Sequence, residues 1–120
     1  YYWGGRSAWG IDCSGLVNLA YRVWGVDLPR NASGQFAVAR ALRRAAMKPG
    51  DLIFTADLNR PDFISHVMLY AGQGRLIEAT RDTDTVREVS FTKKFGVAFE
   101  KLEQGKKANG KIVFFGTILG

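Results

Sequence analysis

The stretch Gly10-Ile11-Asp12-Cys13-Ser14-Gly15-Leu16-Val17-Asn18-Leu19-Ala20-Tyr21-Arg22-Val23-Trp24-Gly25 decides the reading of this chain, because it sets the only cysteine where a helix should begin. From Cys13 to Trp24 the polar residues are Ser14, Asn18 and Arg22, a spacing of four that places them on one helical stripe. The pattern therefore predicts a largely buried helix showing one narrow polar side. Asp12 suits the N-cap and Gly25 the C-terminal stop. A helix N-terminus carries roughly half a positive charge and free N–H groups, which favour a thiolate over a thiol. A lone cysteine is more often a small core residue, but a structural one gains nothing from that position. Gly15 is a poor helix former, suited either to close approach by a substrate or a strand, or to tight helix–sheet packing.

Downstream, Leu28-Pro29-Arg30 reads as a turn into a second helix from about Ala32 to Arg44, with Phe36, Val38 and Leu42 as its core contacts. Lys48-Pro49-Gly50-Asp51 reads as a turn that launches a strand at Leu52–Thr55. Beyond the polar loop with Asn59, Pro61 and Asp62 the pattern turns to strands: Ser65–Ala71, Arg75–Thr80, Asp84–Phe91 and Lys111–Leu119, with Glu103–Gly110 as a loop. Helices followed by an antiparallel meander make an α+β fold.

The only histidine, His66, opens the first strand of the hairpin around Gly72-Gln73-Gly74 and shares a face with Met68 and Tyr70. A two-residue loop would pair Gly72 with Arg75, set His66 opposite Arg81 and turn Glu78 to the other face. A three-residue loop would pair Ala71 with Arg75, set His66 opposite Thr80 and leave Glu78 as a diagonal neighbour on the same face, about 7–8 Å away at the backbone. Gly74 suits the left-handed residue of the longer loop, so that register is expected. Glu78 would then accept Nδ1–H of His66 and stabilise the imidazolium, the orienter's part in a nucleophile–base–acid set.

The chain has 120 residues, enough for one domain, and an apolar share of 47%, that of an ordinary globular protein. It opens on Tyr1-Tyr2-Trp3, which suggests a domain of a longer protein with its targeting segment elsewhere. A net charge of +6 favours an anionic partner. No RNA-binding aromatic motif, zinc finger or helix-turn-helix pattern accompanies it, so nucleic acid is a minor alternative. No apolar run is long enough to span a bilayer.

Taken together, Tyr1 with Trp3-Gly4-Gly5, Gly10 to Val17, Leu28-Pro29-Arg30 with Gln35, Lys48-Pro49-Gly50-Asp51-Leu52, and Ser65-His66-Val67 through Tyr70-Ala71-Gly72 resemble the NlpC/P60 family of papain-like cysteine peptidases, which cut bacterial cell-wall peptides. The match runs in order over residues 1 to about 80. It implies that residues 1–120 are one catalytic domain, with helices packed on an antiparallel sheet and flanking domains elsewhere in the protein. It implies Cys13 as nucleophile, His66 as general base and Glu78, where many members have His, as third polar residue. Oxyanion and substrate-binding roles fall by the same resemblance on Tyr1, Arg6, Asp12, Ser14 and Ser65. The implied reaction cuts the γ-D-glutamyl–diamino acid bond of a stem peptide or muropeptide without metal or cofactor. The implied location is secreted, periplasmic or wall-associated, with cytoplasmic muropeptide recycling as an alternative. Competing functions are a thiol amidase or acyltransferase on the same fold, a non-catalytic wall-binding module, and a basic nucleic-acid binder.

Overall fold

Strand side chains alternate between the two sides of a sheet, and here both sides are apolar, so the central strands are covered twice. The computed structural model describes residues 6–7, 10–11, 13–80 and 85–118. Its elements are β1 (Arg6–Ser7), β2 (Gly10–Ile11), α1 (Cys13–Arg22), α2 (Ala32–Val38), β3 (Arg40–Ala41), β4 (Leu52–Asp57), β5 (Ile64–Gly72), β6 (Arg75–Thr80), β7 (Thr85–Ser90), α3 (Phe91–Phe95), β8 (Lys106–Ala108) and β9 (Lys111–Thr117). Single 3₁₀ turns occur at Arg44–Ala46 and Phe99–Lys101. Strands β3-β9-β4-β5-β6-β7 lie side by side, with β8 also on β9, and every pairing is antiparallel. The expected α+β architecture is present. The meander β4 to β7 is extended on its other side by the returning strand β9, which lies between β4 and the short edge strands β3 and β8.

On one side, Leu52, Phe54, Val67 and Leu69 pack against Val17 and Tyr21 of α1 and Ala32 of α2. On the other, Ile53, Met68, Tyr70, Leu76 and Phe115 meet Phe91, Phe95 and Phe99, stacked through ring contacts such as Tyr70–Phe99 at 4.8 Å. This second layer, α3 and the 3₁₀ turn after it, was not visible in the sequence pattern, which ran the preceding strand on to Phe91. Ser90 ends β7 instead, because its hydroxyl accepts from Lys93 N–H (3.1 Å) as an N-cap, and Gly96 closes the short helix at φ +73°.

Helix α1 ends as the glycine predicts. Gly25 is left-handed (φ +78°), and Val26 N–H bonds Tyr21 C=O while Gly25 N–H bonds Arg22 C=O, the paired bonds of a Schellman motif. Its orientation reverses the expectation. Ser14 and Asn18 are buried, whereas Val23 and Trp24 are 84% and 75% exposed. Buried backbone groups of the connection to α2 need partners, and the polar stripe supplies them. Asn18 Nδ2 donates to Pro29 C=O (2.9 Å), and its Oδ1 accepts from Leu28 N–H (3.3 Å). The wholly buried Gln35 donates from Nε2 to Ser14 C=O (3.1 Å) and Pro29 C=O (3.0 Å).

The second helix is shorter than the expected Ala32–Arg44. The chain leaves it at Ala39, and Arg40 and Ala41 pair with Thr117 and Gly116 of β9. Local helix propensity yields to pairing at a sheet edge. Gly116 makes room, since a side chain there would come within 3.1 Å of Ala39 Cβ. Val38 is consequently exposed, and Phe36 is only part-covered by Phe54 and Phe114, while Leu42 packs against the opposite cluster. The Glu103–Gly110 segment is not all loop, because Lys106–Ala108 adds β8 to β9.

The hairpin between β5 and β6 has a two-residue turn, with Gly72 opposite Arg75 and both Gln73 (φ +55°) and Gly74 (φ +71°) left-handed, a type I′ turn. A bulge between Tyr70 and Gly72 then restores Tyr70↔Leu76 and Leu69↔Ile77. The ladder therefore keeps the register that the three-residue loop would have given, by a different device. Replacing Asn18 with Ala should strand Leu28 N–H in a half-buried setting and lower unfolding stability by about 1–3 kcal/mol in urea titration; a loss below about 0.5 kcal/mol would mean that this seam contributes nothing.

Candidate active site

Cys13 is the first residue of α1 and is partly exposed. Position alone thus presents its thiol to the positive end of ten helical peptide units. His66 follows a second bulge: Thr55 pairs with His66 but Ala56 with Ile64, so Ser65 is the extra residue. Bulges twist a strand locally and re-aim its side chains. Ser65 is exposed, with its hydroxyl 3.4 Å from Thr55 C=O.

Glu78, one strand over, is 0% exposed and lies 2.8 Å from His66, Oε1 to Nε2. The contact uses Nε2 rather than the expected Nδ1. The Cys13 thiol also hydrogen-bonds the imidazole. A buried carboxylate needs more than one partner, and among the described residues Glu78 has three. Arg87, its cross-strand neighbour on β7, reaches Oε2 with Nη2 at 2.6 Å and Nε at 2.8 Å. Lys94 of α3 places Nζ 2.9 Å from Oε1 and 3.2 Å from Oε2. Sequence reasoning missed both cations. Arg87 could have been found as the residue facing Glu78 in the β6–β7 hairpin, but Lys94 carries no local signal.

These contacts move both titrations. Burial alone would lower the His66 pKa, but its hydrogen bonds to Cys13 and Glu78, and the charges of both, outweigh that and raise it above 6.5. Burial alone would raise the Glu78 pKa, but hydrogen bonds from His66, Lys94 and Arg87 bring it down to about 2.

The remaining expected site residues divide. Ser14 is 4% exposed, and its hydroxyl accepts from Arg30 Nη1 (2.9 Å), so in this arrangement it holds Arg30. Tyr1 and Asp12 lie outside the described residues, as does the side chain of Arg6, whose backbone pairs with Ile11. A cavity of about 500 Å³ opens at the far end of α1 beside Tyr21, Trp24, Lys48 and Asp51, and neither Cys13 nor His66 lines it. Among the described residues no group of His, Cys, Asp and Glu is arranged to hold a metal ion, and no helix is long and apolar enough to cross a membrane.

A thiol at a helix start, an imidazole hydrogen-bonded to it and a buried carboxylate behind the imidazole form the side-chain set of a thiol hydrolase. Comparisons with known proteins place the chain among peptidases and peptidoglycan hydrolases by family. The sequence model of the NlpC/P60 family matches residues 1–102, and the chain belongs to this family. It is 33% identical over 92 residues to a γ-D-glutamyl-L-lysine dipeptidyl-peptidase of Bacillus subtilis, covering 77% of this chain and 31% of that protein. The chain thus spans about a third of the length of that curated relative. Among solved structures, the peptidoglycan hydrolase RipB of Mycobacterium tuberculosis superimposes with a TM-score of 0.72 at 29% identity, over 100% of this chain and 57% of that one. RipD of the same organism, described as a non-catalytic NlpC/p60 domain protein adapted to peptidoglycan binding, superimposes with a TM-score of 0.66 at 26% identity, over 92% and 68%.

The pH dependence of stability follows from Glu78. Its carboxylate ionises more readily folded than unfolded, so its contribution is fully present above the usual 4.5 and is lost as pH falls from there through about 2. The raised His66 value acts oppositely, present below 6.5 and fading as pH climbs through the folded-state value. Thermal unfolding of the wild type should therefore weaken between pH 4.5 and 2 more steeply than that of Glu78→Gln; parallel curves would place Glu78 outside the ion cluster.

Proposed function

We propose that this domain is a cysteine peptidase that hydrolyses bacterial stem peptides at the bond between γ-D-glutamate and the diamino acid, diaminopimelate or lysine. The observation that carries the proposal is the continuous line of contacts from the Cys13 thiol through His66 to buried Glu78. The name of the B. subtilis relative supports the choice of bond, and RipB supports peptidoglycan as the polymer.

In the first half-reaction the Cys13 thiolate attacks the γ-carbonyl carbon of the glutamate. The oxyanion that forms is met by the Cys13 backbone N–H at the helix start, with Tyr1 as the second donor the family resemblance implies. The imidazolium of His66 delivers its proton to the departing amine of the diamino acid, leaving a thioester. Water then enters, His66 takes its proton, and the hydroxide attacks the thioester carbonyl. The acid departs with the sulfur leaving as thiolate, and the thiolate–imidazolium pair is restored. Throughout, Glu78 keeps the ring oriented and offsets its positive charge. The reaction needs no metal or cofactor. The domain works as one part of a longer, wall-associated protein.

A second reading is a wall-binding module without catalysis, which RipD favours because a related domain is described in those terms. Mass spectrometry of L-Ala-γ-D-Glu-diaminopimelate peptides separates the two. The wild type should release L-Ala-γ-D-Glu and Cys13→Ala should not. Cleavage by both proteins would remove the thiol from the mechanism. Cleavage by neither, repeated with the full-length protein, would favour the binding module.

A further inference from the structure

Glu78 has more cationic neighbours than an orienting carboxylate requires. One hydrogen bond to Nε2 would hold the ring, yet Lys94 and Arg87 also converge on the same carboxylate. Packing does not account for them. Phe91 and Phe95 are the buried residues of α3, and Arg87 is 39% exposed along its side chain. The position of Lys94 is set from elsewhere, by the Ser90 cap, the Gly96 stop and Asn109 Nδ2 donating to Lys94 C=O (3.1 Å).

We infer that Lys94 and Arg87 are positioning residues of the catalytic centre, two cations that hold the Glu78 carboxylate on His66 and offset part of its charge so that the imidazolium can still release its proton. The inference rests on the thiol-peptidase reading above. The physical reason lies in the sharing of one oxygen. His66 Nε2 (2.8 Å) and Lys94 Nζ (2.9 Å) both meet Oε1, while Arg87 occupies Oε2. A buried carboxylate with no counter-charge would bind the imidazolium tightly, since little solvent screens the pair. His66 must return its proton to the leaving amine, and an over-stabilised imidazolium is a weaker acid for that step. Each cation withdraws some of the carboxylate's charge from the ring.

Among the described residues, the charged and titratable groups found against Glu78 are His66 from β5, Arg87 from β7 and Lys94 from α3. His66 in turn meets Cys13 of α1. The Arg75–Glu88 ion pair lies at the alternate positions of the same two strands, and so on the other face of the sheet.

Lys94→Met keeps the apolar stem and removes the charge. Deleting a positive charge makes every nearby proton harder to remove, so both limbs of the pH–rate profile should move to higher pH, by about half to one unit for a half-buried pair at this separation. The pH profile of Cys13 alkylation by iodoacetamide should move in the same direction, and this readout needs no peptide substrate. Lys94→Arg restores the charge and should return both profiles toward the wild type. Arg87→Met gives the same test independently should Lys94→Met fail to fold. A uniform drop in rate with unmoved limbs, or no change at all, would overturn the inference. A shifted alkylation profile in a protein that cuts no stem peptide would uphold the cation pair and reject the substrate assignment instead.

Discussion

A carboxylate with no exposed surface survives in a folded protein only if its charge is answered, and in this chain the answer comes from three different elements. Glu78 of β6 is met by His66 of β5, Arg87 of β7 and Lys94 of α3. Without these partners the buried charge would stand uncompensated, which costs far more than an exposed ion pair contributes. The cluster therefore fixes the mutual registers of three strands and the approach of a helix on the far side of the sheet. The aromatic layer of Phe91, Phe95 and Phe99 then has a second consequence beyond burying apolar area, because it carries the helix that bears Lys94.

On the opposite side of the sheet a polar seam does comparable work for the thiol. Ser14, Asn18 and Gln35 tie the first turns of α1 to the Leu28–Pro29 backbone, and Val17 and Tyr21 anchor the helix to the sheet. The start of α1, and with it Cys13, is thus held by buried hydrogen bonds as well as by apolar packing. Gln35 is nonetheless imperfectly served, since among the described residues its Oε1 has no hydrogen-bond partner. Buried polar networks of this kind specify one arrangement more than they add stability.

Much of the fold was legible in the sequence, because its signals are local. The Lys48–Asp51 turn reads from Pro49 and Gly50, and the structure gives Gly50 φ +94° with Asp51 N–H bonded to Lys48 C=O (3.0 Å). Family membership reads from a set of motifs in fixed order. What failed was non-local. The stripe of Ser14 and Asn18 looked like a solvent face, and only the carbonyls of a distant connection explain why it turns inward. The second helix was cut short by a strand that returns from the end of the chain, and neither Ala39 nor Arg40 announces it. For the hairpin, the sequence pattern distinguishes only a two-residue from a three-residue loop, whereas the chain combines the shorter turn with a bulge. The candidate site divides in the same way. Cys13, His66 and Glu78 could be picked out by type and spacing, but Ser65 as a bulge and Lys94 as a cation on Glu78 depend on pairings that no single segment encodes.

The central claim is that buried Glu78 charges the imidazole that serves Cys13. Since the chain has one histidine, its ring protons give a single, unambiguous titration by NMR. The account predicts a wild-type midpoint above 6.5 that falls on Glu78→Gln substitution in a variant that remains folded. A wild-type midpoint at or below 6.5, unmoved by the substitution, would contradict it.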